Sequence, residues 1–384
     1  MSVESVGSPA PPFATLRRVS RFALLAIVPA LIALGLVGYF MARGIAGADF
    51  KGGITAGSSR LLDGEPPYNS AYVSRILRAS AQGRDAAPIE TPAYPPHVLV
   101  AALPLVPLGQ RFAGVLAMIA AGIALVLALR AIGISDWRCY GALALTPVTL
   151  QGVLLANPTI FLVPAVALVW RWRRSSLRVA LVLGGALSLK PLLLPVLIWL
   201  VLTRRWRAAF GSLAVCAGLL ALGFVAIGSD PLAYWNLSSD LVAAQRHTAL
   251  SIIAVASRAG LSLHAALATM GGVMIAATAI TLARWRSKRD ERELFAATIA
   301  ISLLASPLVH MHYLALLVVP LGLMRPRFGI AWLVGIPFWL MIDGGGPAPL
   351  AAFVIYAALI VVAVTRPRGR GVGSDPTQLV AEHA

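Results

Sequence analysis

The chain has 384 residues, of which 59% are apolar and only 12% are charged, and its mean hydropathy is +0.82. An average soluble domain carries roughly 25% charged residues, and a soluble chain of this composition would expose too much apolar surface to water. Intrinsic disorder is excluded as well, because it requires low hydrophobicity. The apolar residues suffice for about ten crossings of about 20 residues each, so the sequence predicts a polytopic integral membrane protein.

The formal net charge of +17 indicates membrane topology rather than a nucleic-acid partner. Most of the basic residues lie in short clusters between apolar stretches instead of forming one basic patch. Short loops rich in Lys and Arg stay on the cytoplasmic side, so the clusters predict that both termini are inside. The clusters fall at 17–21, 171–178, 204–207, 284–292, 325–327 and 366–370.

The chain opens with a polar tail, 1–21, which we predict to be cytoplasmic, and the first span follows at 22–42. The basic residues, the apolar run and the small residues at 46–48 also resemble a secretory signal with its cleavage site. The apolar run is longer than the core of about 7–15 residues that is usual in such signals. A retained span is therefore favoured over a cleaved one.

The longest polar stretch, 43–94, is predicted to be an outer loop with two short helices. In the second helix Tyr68, Tyr72 and Ile76 recur every four residues, while Arg75 points elsewhere. This pattern suits a helix in the plane of the lipid headgroups, with arginine near lipid phosphate. It suits a small amphipathic cap packed on the helix bundle equally well.

Twelve further apolar segments follow the first span. Four of them come from two broken stretches, 139–170 and 179–203, each of which is predicted to form a hairpin of two short helices. The breaks are at Asn157-Pro158 and Lys190-Pro191, because proline ends the preceding helix. The other segments lie at 95–109, 112–133, 208–228, 266–285, 294–308, 312–324, 328–342 and 348–365.

Two cytoplasmic termini require an even number of crossings, so we predict about 12 transmembrane helices among the thirteen segments. The transmembrane domain then extends over 22–365, and the polar tail 366–384 is cytoplasmic. Besides 43–94, the outer loops are 229–265 and a short loop around 309–312.

Ionisable residues collect at the predicted outer ends of the spans, where a charge usually faces a bundle interior or an aqueous cavity. Asp49 lies just beyond the first span and is a candidate general base. The alternative is an ordinary aspartate at a helix end or in a turn. Lys190 interrupts an otherwise apolar stretch. It either meets a phosphate or carboxylate group or extends its side chain to the membrane interface.

His310 and His312 lie in the third outer loop and are candidate hydrogen-bond or charge partners for an anionic substrate. A metal site is less favoured, because neither Cys nor an acidic cluster lies nearby. Cys139 and Cys216 are far apart, in or beside apolar runs, and have neither disulfide nor metal spacing. The sequence therefore predicts no metal and no cofactor.

Four motifs, taken together in their order and spacing, resemble one known family. They are Asp49-Phe50 with Gly64 and Tyr68, Tyr94-Pro95-Pro96 with Pro104 and Pro107, Leu189-Lys190-Pro191 with the basic run 204–207, and Ser306-Pro307 with His312-Tyr313. The chain resembles glycosyltransferase family 87, the polyprenyl-phosphate-mannose-dependent mannosyltransferases of the GT-C superfamily. In two places it departs from the usual family pattern: Ala156-Asn157 replaces Gly-Gln, and 309–311 lack the usual Ser, Trp and acid.

The resemblance implies an all-α, GT-C-like bundle that transfers a hexose, mannose in the family, from a polyprenyl-phosphate donor with inversion. It places the site on the extracytoplasmic face of the plasma membrane, with a glycolipid or glycan as acceptor and membrane lipids as partners. Asp49 would be the base. The residues expected to bind the donor phosphate or substrate are Lys190, His312, His310, Arg60, Arg75, Tyr94 and Asn157.

The chemistry agrees with a single carboxylate base. A glycoside hydrolase generally needs two carboxyl groups, one of which protonates a poor leaving group. A lipid phosphate is already a good leaving group, so one base suffices, with cations to stabilise the departing phosphate. A secondary transporter is the main alternative, but it predicts an internal repeat that is not apparent. A lipid-linked-glycan ligase, a flippase and a scaffold are the remaining alternatives.

Overall fold

The computed structural model describes residues 19–20, 22–69, 74, 94–245 and 249–341. All regular secondary structure in these residues is helical, which confirms the all-α fold class. Several predictions lie outside the described residues: Arg75 with the second helix of the first outer loop, most of the N-terminal tail, the last span at 348–365 and the C-terminal tail.

The described helices run in the following order. The first eight are α1 (Ala23–Ala42), α2 (the consecutive segments Ala48–Phe50, Lys51–Thr55 and Ala56–Leu62), α3 (Pro96–Leu108), α4 (Gln110–Ala131), α5 (Trp137–Ala144), α6 (Pro147–Leu154), α7 (Pro158–Arg171) and α8 (Ser176–Leu189). The others are α9 (Pro191–Leu202), α10 (Trp206–Ile227), α11 (Pro231–Gln245), α12 (Ile252–Arg258), α13 (Leu263–Lys288), α14 (Glu291–Leu304), α15 (Met311–Met324) and α16 (Ile330–Leu340).

Four of these helices, α1, α4, α10 and α13, are long and apolar enough to cross a membrane. They confirm the predicted spans at 22–42, 112–133, 208–228 and 266–285 as long apolar helices. The bent pair of α6 and α7 makes a fifth if it counts as one span. The other apolar helices are shorter, so the count of about 12 spans and the orientation of the chain stay predictions.

The stretch 139–170 contains one more break than the sequence indicated. Between α5 and α6 the backbone of Thr146 is extended, because Pro147 disfavours a helical conformation in the preceding residue and cannot continue the helix itself. The break at Asn157-Pro158 is the sharper one. There α6 and α7 are bent by 110°, and Ala156 takes a left-handed φ of 49°.

An aromatic cluster joins α7, α9 and α14 at their predicted cytoplasmic ends. The ring centroid of Phe295 lies 5.2 Å from that of Trp170 and 4.7 Å from that of Trp199. The guanidinium of Arg205 lies over the Trp199 ring and pairs with Glu291. These contacts fix the relative positions of the helices that carry the two proline breaks.

The link between α1 and α2 packs its backbone directly on α4. Gly47 has a left-handed φ of 66°, and a Cβ at this position would overlap the backbone of Gly114. Glycine is required here for two independent reasons, the backbone conformation and the close approach. The residues that follow Gly47 are therefore held against the bundle.

We expect Gly47→Ala to lower the stability of the protein more than Gly44→Ala does. Gly44 has a similar φ of 69° but open space around it, so alanine there costs only the backbone strain, about 1–2 kcal/mol. At Gly47 the clash with Gly114 adds about 1–3 kcal/mol. Thermal unfolding of the two variants in detergent checks this difference, and equal melting temperatures would contradict the close packing.

Candidate active site

The start of α2 is hydrogen-bonded to the end of α6. The N–H of Gly47 donates to the carbonyl oxygen of Leu154 at 2.8 Å, and the N–H of Asp49 donates to that of Leu155 at 3.1 Å. The last carbonyl groups of a helix have no partner within it, so α6 offers them to the incoming loop. Asp49 is thereby fixed beside the break between α6 and α7.

The side chain of Asn157 connects this break to Asp49. Its Nδ2 donates to Asp49 Oδ2 at 2.7 Å, and its Oδ1 accepts from the N–H of Thr159 at 2.9 Å. The second bond caps the start of α7 and fixes which way the amide points. One side chain therefore both begins α7 and orients the carboxylate.

Lys190 lies at the other proline break, between α8 and α9. Its backbone is extended, as is usual before proline. The ammonium Nζ donates to Thr159 Oγ1 at 2.7 Å and to Tyr313 Oη at 2.8 Å. It also lies 4.2 Å from the ring centroid of Tyr313 and 5.7 Å from that of Tyr94, within the range of cation–π attraction.

Tyr94 is buried beside the same cluster. The hydroxyl of Tyr68 donates to the Tyr94 carbonyl oxygen at 2.9 Å, which ties the described parts of the first outer loop together. A Cβ at Gly53 in α2 would lie 2.5 Å from the Tyr94 ring, so glycine permits the close approach of α2. The aromatic ring thus forms one wall beside both Lys190 and α2.

The predicted outer loop around 309–312 brings His310 and His312 to this cluster. Their rings stack with centroids 5.7 Å apart, and the His312 ring lies 5.0 Å from that of Tyr313. His312 is only 6% exposed, and neither of its ring nitrogens has a hydrogen-bond partner among the described residues. A buried polar group is normally paired, so this imidazole is suited to a polar ligand.

Asp49 is only partly exposed. Burial raises its pKa above the ordinary value, while the Asn157 hydrogen bond and the Lys190 charge lower it by less. Burial and the Lys190 charge lower the pKa of His310 to about 4, so His310 is neutral near pH 7. A carboxylate with a raised pKa is a stronger base than an ordinary aspartate.

The structure thus brings together six of the candidate site residues predicted from the sequence: Asp49, Tyr94, Asn157, Lys190, His310 and His312. Arg60 is buried in the last segment of α2, and a place for it in the site stays a prediction. Arg75 lies outside the described residues. The catalytic and binding roles of all these side chains likewise stay predictions.

Sequence reasoning missed Thr159 and the hydroxyl of Tyr313, which are the partners of the Lys190 ammonium. Thr159 is fully buried, but in the sequence a threonine after Pro158 in an apolar stretch indicates only the start of a helix. Tyr313 belongs to the fourth family motif, but the motif assigns no function to its hydroxyl. A lysine in an otherwise apolar stretch, whose ammonium needs acceptors, was the one signal that pointed to such groups.

Comparisons with known proteins identify the family of the chain. The sequence model of glycosyltransferase family 87 matches residues 93–310, a range that contains Tyr94, Asn157, Lys190 and His310. Asp49 and His312 lie outside the matched range. No curated protein and no solved structure matches the chain.

Among the described residues, no group of three or more His, Cys, Asp or Glu side chains is placed to hold a metal ion.

We expect Asn157→Leu to raise the pKa of Asp49 further, by about one pH unit, because it removes a hydrogen bond that favours the charged carboxylate. Infrared titration of the protonated carboxyl band, assigned by its loss in Asp49→Asn, measures this pKa directly. Asn236→Leu on the exposed surface of α11 is the matched control. An unchanged titration in Asn157→Leu would rule out the hydrogen bond.

Proposed function

Because the chain belongs to glycosyltransferase family 87, we propose that it transfers a hexose, mannose in the first instance, from a polyprenyl-phosphate sugar to an acceptor hydroxyl. Membership of the family indicates a glycosyltransferase, and the long apolar helices indicate a membrane protein. The lipid donor, the sugar, inversion at its C1 atom and a site on the extracytoplasmic face of the plasma membrane are parts of the proposal. The acceptor is a glycolipid or a glycan.

One observation carries the proposal: a partly accessible carboxylate lies near a lysine ammonium, and each has a neutral hydrogen-bonding partner. Asp49 is held by Asn157, and Lys190 is held by two hydroxyl groups. In the described part of the chain no second carboxyl group interacts with Asp49. A single base with a nearby cation is the arrangement that suits a phosphate leaving group.

The proposed step moves one proton and exchanges one bond at C1 of the sugar. Asp49 takes the proton of the acceptor hydroxyl while that oxygen attacks C1 from the face opposite the phosphate. The bond between C1 and the phosphate oxygen breaks, and the phosphate keeps the electron pair. Lys190 and a neutral His312 stabilise the negative charge that the phosphate acquires.

We expect Asp49→Asn and Asp49→Ala to reduce transfer by about 100- to 10,000-fold, the range that a general base contributes. Membranes that hold each variant are supplied with radiolabelled polyprenyl-phosphate-mannose, and the label transferred to lipid or glycan is counted. Asp240→Asn, on the exposed surface of α11, is the matched control. Undiminished transfer in both Asp49 variants would exclude Asp49 as the base.

We expect Lys190→Met to raise the KM for the lipid donor more than the KM for the acceptor, because the ammonium attracts the donor phosphate. A rise of about tenfold or more corresponds to the loss of one charged hydrogen bond. Lys288→Met, at the exposed end of α13, is the control for the loss of a lysine. If donor KM and rate both stay at wild-type values, Lys190 has no place in the site.

A further inference from the structure

Asp49 and Lys190 attract each other but do not form an ion pair. The Lys190 charge acts on the Asp49 carboxyl, yet within the described residues no ion pair of 4.0 Å or less joins the two. Unlike charges attract each other more strongly within a protein than in bulk water. Some part of the structure must therefore keep the two groups apart.

The first turn of α7 holds both charges at once. The side chain of Asn157 donates to Asp49 at 2.7 Å, and the side chain of Thr159, two residues later, accepts from Lys190 at 2.7 Å. The bond between Asn157 Oδ1 and the Thr159 N–H makes this short segment rigid. Both residues are buried. The distance between base and cation is thus set by a single turn of the backbone.

Tyr313 holds the ammonium from a second direction. Its hydroxyl accepts from Lys190 at 2.8 Å, and its own N–H donates to the His310 carbonyl oxygen at 2.9 Å. Tyr313 is 8% exposed, so its ring has little freedom to follow the lysine. An ammonium carries three N–H donors, and Thr159 and Tyr313 accept from two of them.

We propose that Thr159 and Tyr313 are positioning residues that hold the Lys190 ammonium away from the Asp49 carboxylate, so that the substrate occupies the space between base and cation. The inference rests on the proposed function for the identity of that substrate, a sugar phosphate. One N–H of Lys190 and Oδ1 of Asp49 stay available to it among the described residues.

Other titratable groups surround Asp49 and Lys190, and we expect them to stay in place when the hydroxyls of Thr159 and Tyr313, together called the spacer, are removed. Tyr94 faces Asp49 and Lys190, and His310 and His312 face Lys190. Lys51, on the same helix as Asp49, turns its ammonium to the Gly44 carbonyl oxygen at 2.6 Å. A change in the titration of Asp49 after removal of the two hydroxyls therefore reports the position of Lys190.

The test is the double variant Thr159→Val/Tyr313→Phe, which removes both hydroxyls and keeps both shapes. Without them Lys190 moves to Asp49, and the pKa of Asp49 falls by about one pH unit or more, as beside an added opposite charge. Infrared titration of the full chain in lipid nanodiscs measures this pKa without any substrate. If Asp49 titrates as in the wild type, the spacer role is wrong.

Kinetics provide a second readout. Transfer requires the ionised carboxylate, so the acidic limb of the pH–rate profile moves to lower pH in the double variant while kcat falls about tenfold or more. The variant Thr159→Ser/Tyr313→Phe returns one hydroxyl to Lys190 and moves both values back towards those of the wild type. Thr298→Val, at an equally buried threonine of α14, leaves them unchanged. A lower kcat with an unmoved limb, and no rescue by serine, would mean that the hydroxyls only stabilise the fold.

The two proposals fail in distinguishable ways. If the wild type transfers no sugar from polyprenyl-phosphate-mannose, the proposed donor is wrong, but the substrate-free titration still decides the role of the spacer. If the wild type transfers sugar and the titration of Asp49 does not respond to the double variant, the spacer alone is wrong. Thr159→Ser alone is the control for loss of the fold, because it changes the packing least.

Discussion

The arrangement of the site depends on two backbone hydrogen bonds, from Gly47 and Asp49 to the last carbonyl groups of α6. They exist because α6 stops where it does: Ala156 turns the chain with a positive φ, and Pro158 begins a new helix. The same break places the Asn157 side chain beside Asp49. In a helix that continued through this point, the carbonyl groups would be paired within the helix, and the N–H groups of Gly47 and Asp49 would lose these acceptors.

Charged side chains have different kinds of partner at the two predicted faces of the membrane. Near the basic loops, Arg205 pairs with Glu291 and Arg284 with Glu293, so opposite charges neutralise each other. Around the break between α6 and α7, Asp49 and Lys190 have neutral partners instead. An amide and two hydroxyl groups reduce the cost of burying a charge without cancelling it. The first pattern suits structural support, and the second suits groups that react.

Length and composition were sufficient to predict the long apolar helices, and proline was sufficient to predict the breaks at Asn157-Pro158 and Lys190-Pro191. The same signal was missed at Pro147, which separates α5 from α6. The number of crossings could not, because most of the other apolar segments fold into helices too short to cross alone. The partners of Lys190 could not be predicted either. Tyr313 is 123 positions away from it, and no local pattern encodes such a contact.

The exposed surface of α1 has a consequence for the lipid environment. Among its residues only Pro29 is buried. Leu25 lies against Gly141 of α5 and Phe40 packs on the bundle, so we expect lipid to cover the remaining surface. A helix that is too long for a thin bilayer is accommodated in part by tilting. Because the N–H groups of Gly47 and Asp49 are bonded to α6, we expect a small change in the tilt of α1 to leave the carboxylate in position.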